Sequence, residues 1–176
     1  MEKKKIWELD RPDIDSYRDV DKIPVTIVVD NVRSLNNIGS LFRTADAFLI
    51  KKIVLCGISA TPPSIEIHKT ALGAEESVLW EYYSNTLDAL RELRDCGVII
   101  CTLEQVKGSI PLNEFVPKIT EQYAIVVGNE VDGVQQEVVD YSDYCIEIPQ
   151  FGTKHSLNVT VSAALAMWQF FKVLKL

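Results

Sequence analysis

Two clusters of polar side chains stand out in the last third of this 176-residue chain. The first, Gly128-Asn129-Glu130-Val131-Asp132-Gly133, follows an apolar, β-branched run. Glu130 offers a carboxylate at the end of that run, and Gly128 would let a ligand approach the backbone. The second, Ile148-Pro149-Gln150-Phe151-Gly152-Thr153-Lys154-His155-Ser156-Leu157-Asn158-Val159, opens into a helical pattern. It gathers Gln150, Thr153, Lys154, His155, Ser156 and Asn158 between two apolar elements, more polar groups than a plain connection needs. Two such loops point to one shared site at the carboxyl ends of neighbouring strands, where open α/β sheets bind ligands. Plainer readings stand beside this one. Asp132-Gly133 can simply close a turn. Ser156 can cap the last helix, with Asn158 in its first turn, and His155 can be a surface histidine.

A third cluster lies upstream, in Asn36-Asn37-Ile38-Gly39-Ser40-Leu41-Phe42-Arg43-Thr44. Ile38, Leu41, Phe42, Ala45, Phe48 and Leu49 recur at helical spacing and predict a helix over residues 37–49 with that stripe in the core. Gly39, Ser40, Arg43 and Ala47 share another face, where small residues beside a guanidinium leave room for something bulky. The plainer reading makes Asn37 an N-cap and pairs Arg43 with Asp46 one turn on.

The elements that must position these clusters alternate. Strands are predicted at residues 24–30, 53–57, 97–102, 123–128 and 144–148, with a short one at 77–80. Helices are predicted near 64–70, from an N-cap at Ser84, over 134–141, and from near Ser156 to the end. The last buries Leu157, Val161, Ala164, Trp168 and Phe171. This order predicts an α/β fold, a mostly parallel sheet with helices on both faces. Residues 1–22 read as a short charged N-terminal arm and 23–176 as one domain.

Composition narrows the classes. The chain is 47% hydrophobic and 24% charged, which suits a globular domain. No apolar run reaches the roughly 18 residues a membrane helix needs. Met1–Glu8 are charged with no apolar stretch behind them, so no signal peptide and a cytoplasmic location are expected. The four cysteines, Cys56, Cys96, Cys101 and Cys145, form no CxxC pair, and His68 and His155 sit in no ligand spacing, so neither a metal nor a disulfide is predicted. No GxGxxG or Walker motif occurs. A net charge of −7 argues against nucleic acid unless the fold gathers Lys3 to Lys5, Arg33, Arg43, Lys51, Lys52, Lys69 and Lys154 locally.

Taken in order, the three clusters resemble the motifs of the SpoU (TrmH-like) branch of the SPOUT RNA methyltransferases. Asn37 through Phe48 looks like its first motif, Gly128-Asn129-Glu130 with Gly133 its second, and Ile148-Pro149, Gly152 and Ser156-Leu157-Asn158-Val159 its third. Lys69-Thr70-Ala71-Leu72-Gly73-Ala74 is also similar, and the resemblance runs from about Val25 to Phe171. It implies a deep C-terminal trefoil knot, an exception to the rule against threaded loops. It implies S-adenosylmethionine held in the knot by Thr102, Leu103, Gly128, Asn129, Ile148, Pro149, Gly152 and Leu157. It also implies a homodimer that methylates a ribose 2′-hydroxyl of tRNA or rRNA, with no membrane and no DNA as partner. The resemblance assigns activation of the hydroxyl to Arg43. A guanidinium is a poor base, so Arg43 is either a base aided by an RNA phosphate or a cation that stabilises the developing alkoxide. Asn37 would orient Arg43 or the ribose, and Glu130, Ser156 and Asn158 would shape the site. Val131 and Gln150 depart from residues common in the family, glycine and methionine. Two other readings remain: a non-catalytic knotted RNA-binding or assembly factor, and an α/β small-molecule binding module.

Overall fold

A computed structural model describes residues 1–176, apart from the side chain of Ile6. Seven strands form one sheet: β1 (Ile23–Asp30), β2 (Ile50–Cys56), β3 (Trp80–Tyr83), β4 (Val98–Leu103), β5 (Ile110–Pro111), β6 (Gln122–Val127) and β7 (Tyr144–Glu147). Every pairing is parallel, in the order β3-β2-β1-β6-β4-β7-β5. The central strands β1 and β6 are buried on both faces, which is why they read as continuous apolar runs rather than alternating ones.

Seven α-helices accompany the sheet among the described residues: α1 (Ile14–Asp19), α2 (Leu35–Ala47), α3 (Ile65–Ala71), α4 (Ala74–Ser77), α5 (Thr86–Asp95), α6 (Gln136–Tyr141) and α7 (Val159–Leu174). On one face, Ile38, Phe42, Ile67, Met167 and Phe170 of α2, α3 and α7 pack with Ile27 of β1. On the other, Leu90 of α5 and Val138 of α6 pack with Val28 and Val126. The predicted parallel sheet with helices on both faces is therefore present, and so is the Ile38-Leu41-Phe42-Ala45 core stripe of α2.

Several local expectations are corrected. Helix α2 starts two residues earlier than predicted, and Ser34 is its N-cap, accepting from the Asn37 N–H at 3.3 Å. Asn85, not Ser84, caps α5, accepting from the Leu87 N–H at 2.8 Å. The short strand predicted at 77–80 lies instead at Trp80–Tyr83, and Ser77 ends α4. Leu72 and Gly73 take left-handed conformations that end α3 and start α4, so pairing begins only at Trp80. Helix α7 starts at Val159, with Asn158 as N-cap accepting from the Thr160 N–H at 2.9 Å. Its buried residues are Val159, Ala163, Ala166, Met167 and Phe170. Val161 and Trp168, predicted inside, are exposed, as is Leu157 before the helix. This helix is apolar on nearly every side, so period alone did not say which side faces the sheet.

Two tethers matter for the site. Asp30 is fully buried at the end of β1. It accepts from Thr86 Oγ1 (2.6 Å), the Gln135 N–H (2.9 Å), Gln135 Nε2 (2.8 Å) and Asn31 Nδ2 (2.9 Å), so the buried charge is compensated by four donors. It thereby joins β1 to the starts of α5 and α6. In α1, Tyr17 is buried and donates its hydroxyl to the Asp46 carbonyl at 2.9 Å, anchoring the charged N-terminal residues against α2.

Candidate functional site

The two polar loops follow β6 and β7, and the sheet order inserts β4 between those strands. They are therefore not on adjacent strands, as expected, but flank the carboxyl end of β4. A cleft of about 400 Å³ opens where the three strand ends meet. Its apolar wall comes from Leu103, Val127, Ile146, Ile148, Leu157 and Val159. Glu104, Glu130, Asp132 and Glu147 line it too, so the cleft is acidic and suits a cationic, partly apolar ligand.

The loop after β6 is built from its own hydrogen bonds. Asn129 and Gly133 exchange backbone bonds at 3.1 and 3.2 Å, and the Asn129 carboxamide oxygen accepts from the Val131 and Asp132 N–H groups, both at 2.9 Å. Gly133 needs its left-handed φ of 69° to close this turn. Gly128 was expected to admit a ligand. What approaches it is instead the backbone of Gly133 and Val134: a Cβ at Gly128 would lie 2.1 Å from the Gly133 carbonyl carbon.

Glu104 and Gln105 complete the cleft, and the sequence reading missed them. The Glu104 carboxylate accepts from the Val134 N–H at 3.0 Å and the Gln105 N–H at 2.8 Å. Gln105 Nε2 donates to the His155 carbonyl at 2.8 Å. One residue thus braces the loop after β6 and the next braces the loop after β7. The signal was available, since Glu104-Gln105 are polar residues directly after an apolar strand, at the edge where parallel sheets hold ligands.

Among the proposed chemical residues, Glu130 and Ser156 line the cleft. Asn37 and Asn158 lie beside it and are wired to it. Asn37 Nδ2 donates to Glu130 at 2.7 Å, and Asn158 Nδ2 donates to Asn37 Oδ1 at 3.3 Å. Residues 93 and 121 positions apart in sequence so form one chain from α2 to both loops. Partial burial pushes the Glu130 carboxyl up. The bonds from Asn37, from its own N–H and from the Arg33 and Ser34 N–H groups outweigh that and bring it below the usual glutamate value.

Arg43 is on an exposed face of α2, outside this cluster. It forms no ion pair among the described residues. Its expected partner Asp46 instead accepts from Ser77 Oγ at 2.6 Å. Gly39 does not leave room beside Arg43, because it is pressed against Ile67 and Thr70 of α3. Of the residues implied for a cofactor, Leu103, Gly128, Asn129, Ile148 and Leu157 line the cleft, while Thr102, Pro149 and Gly152 fall outside its lining. Thr102 is fully buried, its hydroxyl 2.5 Å from that of Ser142. The basic residues are dispersed: Lys52 pairs with Glu81, Lys69 with Glu66, and Lys51 bonds Gln122.

Residues 24–168 match the family described as the SpoU rRNA Methylase family. A 23S rRNA (guanosine-2′-O-)-methyltransferase RlmB of Neisseria meningitidis is 29% identical over 153 residues, covering 87% of this chain and 60% of that protein. The RlmB of Nitrosomonas europaea is 31% identical over 147 residues, covering 83% and 55%. The chain thus spans less than two thirds of the length of these curated relatives. The TrmH/SpoU tRNA modifying enzyme of A. aeolicus superposes with a TM-score of 0.80 at 26% identity, covering 90% of this chain and 81% of that one. An AdoMet-bound rRNA methyltransferase of Sinorhizobium meliloti superposes at 0.79 with 25% identity, over 89% and 59%.

Proposed function

The chain belongs to the SpoU rRNA methylase family, and from that premise we propose that it transfers a methyl group from S-adenosylmethionine to a ribose 2′-hydroxyl of tRNA or rRNA. The observation that carries the reading is the braced acidic cleft at the ends of β4, β6 and β7, joined through Glu130 to Asn37 and Asn158. Its volume of about 400 Å³ lies in the range of small-molecule sites. The cleft pairs apolar side chains with carboxylates, which fits an adenosine that carries a sulfonium. When bound, the cofactor would supply a methyl carbon that the ribose oxygen attacks, the C–S bond breaking to release the neutral thioether S-adenosylhomocysteine and the hydroxyl proton passing to solvent. Leu103, Gly128, Asn129, Ile148 and Leu157 would hold it, largely through backbone groups.

The remaining chemistry falls to this chain's side chains. Asn37 is oriented by its bond to Glu130 and keeps its carboxamide beside Asn158, where the pair can position a ribose. Ser156 stands at the cleft mouth. Arg43 acts on the hydroxyl as a cation that stabilises the developing alkoxide, because a guanidinium holds its proton at neutral pH. Arg43 and the cleft are not joined within one chain. A homodimer in which one subunit supplies the arginine and the other the cleft accounts for this. Helix α7 supports such an assembly, since Val161, Leu165 and Trp168 form an apolar stripe exposed at 47%, 42% and 45%. A deep trefoil knot formed by the C-terminal part of the chain belongs to the same reading, supported by the match of residues 24–168 to the family.

The test is transfer of labelled methyl to unmodified total tRNA and, separately, to rRNA, followed by nuclease digestion and mass spectrometry of the nucleosides. One 2′-O-methylated nucleoside is the expected product. Cofactor binding with no transfer to either RNA would favour a non-catalytic knotted factor instead.

A further inference from the structure

Residues 151–158 are all exposed, and Phe151 is the most exposed aromatic side chain among the described residues, at 98%. The loop is nevertheless held at its far end: Gln105 fixes the His155 carbonyl, and Asn158 caps α7. Phe151 therefore projects from an anchored loop whose Gln150 and Ser156 line the cleft. An isolated exposed apolar residue needs no explanation, but this one opens a stretch of chain that carries no acidic residue, beside a cleft that is otherwise acidic. From Ile148 to Leu176 the chain has three lysines, Lys154, Lys172 and Lys175, and no aspartate or glutamate, in a protein whose net charge is −7. Lys154 lies three residues from Phe151 and enters no ion pair among the described residues.

Resting on the reading of the protein as an RNA methyltransferase, we infer that residues 150–155 form a single-stranded RNA contact at the mouth of the cleft. Phe151 stacks on an unpaired base, and Lys154 meets a neighbouring phosphate. A ring stacks on any base without reading it, and a lysine on a phosphate fixes register without sequence, so this contact holds and positions RNA beside Ser156 and Asn158.

The test uses the full chain and a fluorescein-labelled single-stranded RNA of mixed sequence, followed by anisotropy across a salt series. Phe151→Ala should weaken binding on the order of tenfold, and Phe151→Tyr should restore it to within about twofold, because stacking needs only the ring face. Lys154→Gln should lower the slope of log affinity against log salt by about 0.7, one phosphate contact to a single strand. Calorimetry with S-adenosylmethionine and sedimentation velocity run on the same samples should show wild-type values for all three variants. Wild-type RNA affinity in Phe151→Ala overturns the inference. So does a changed oligomeric state, which would show that the ring covers a second copy. If the wild-type protein binds no RNA, the inference falls, and the calorimetry reports separately on the cofactor reading.

Discussion

The loops after β6 and β7 share one cleft but are held in opposite ways. The first is closed on itself: Gly128 is packed against Gly133 and Val134, Asn129 ties its own turn, and Glu104 accepts from Val134. The second has its polar side chains in solvent and is pinned by the Gln105 bond to His155 and the Asn158 cap. The difference fits the two tasks proposed for these loops. A wall for a small ligand gains from backbone groups set in advance, since ordering them is a cost not met again on binding. A surface that receives a large, variable partner gains from exposed side chains on a few firm anchors.

Breaking the closed loop should have the largest effect. Gly128→Ala places a Cβ against backbone that cannot yield, so stability should fall by about 1–3 kcal/mol and the cofactor site should collapse. Urea unfolding with calorimetry checks this, and an alanine variant with wild-type stability would mean the loop is not packed as described. Next comes the brace. Glu104→Ala leaves the Val134 N–H without its partner and should cost about 1 kcal/mol, with weaker cofactor binding, whereas Glu104→Gln keeps an acceptor and should recover most of it. Equal losses in both variants would point to the charge rather than the hydrogen bond.

The Asn37–Glu130 link should be sensitive to pH in one direction only. The folded-state value of Glu130 is lowered, so its contribution is fully present above the ordinary value of 4.5 and is lost as pH falls through the lower, folded value. The stability difference between wild type and Glu130→Gln should therefore be flat from neutral pH down to 4.5 and shrink below it. A difference that changes near neutrality would contradict the assignment. The smallest effect belongs to the open loop. A Cβ at Gly152 meets nothing within 4 Å, so Gly152→Ala should stay within about 0.5 kcal/mol of wild type in thermal unfolding.

Much of this architecture was legible in the residue order, and the exceptions are instructive. The stripe Ile38-Leu41-Phe42-Ala45 could face only one way, because polar residues surround it. Helix α7 had no such contrast, so Trp168 was placed inside when Met167 and Phe170 hold the core. The two loops were visible because each follows an apolar run and contains glycine. The strand between them was not, since sheet order is set by long-range pairing such as Thr102 with Val126 and Cys145. Glu104 and Gln105 were legible as polar residues after an apolar strand, but which loops they reach, Val134 and His155, was not. The Asn37–Glu130 bond likewise spans 93 residues, and no local pattern encodes it.

Arg43 stands apart from the cleft proposed to hold the cofactor. Methyl transfer to RNA and calorimetric titration with S-adenosylmethionine, run on one preparation each of wild type and Arg43→Ala, test it directly. The expected result is abolished transfer with cofactor affinity near wild type, as befits a residue outside the cleft lining. An active Arg43→Ala enzyme, or one that no longer binds the cofactor, would contradict it.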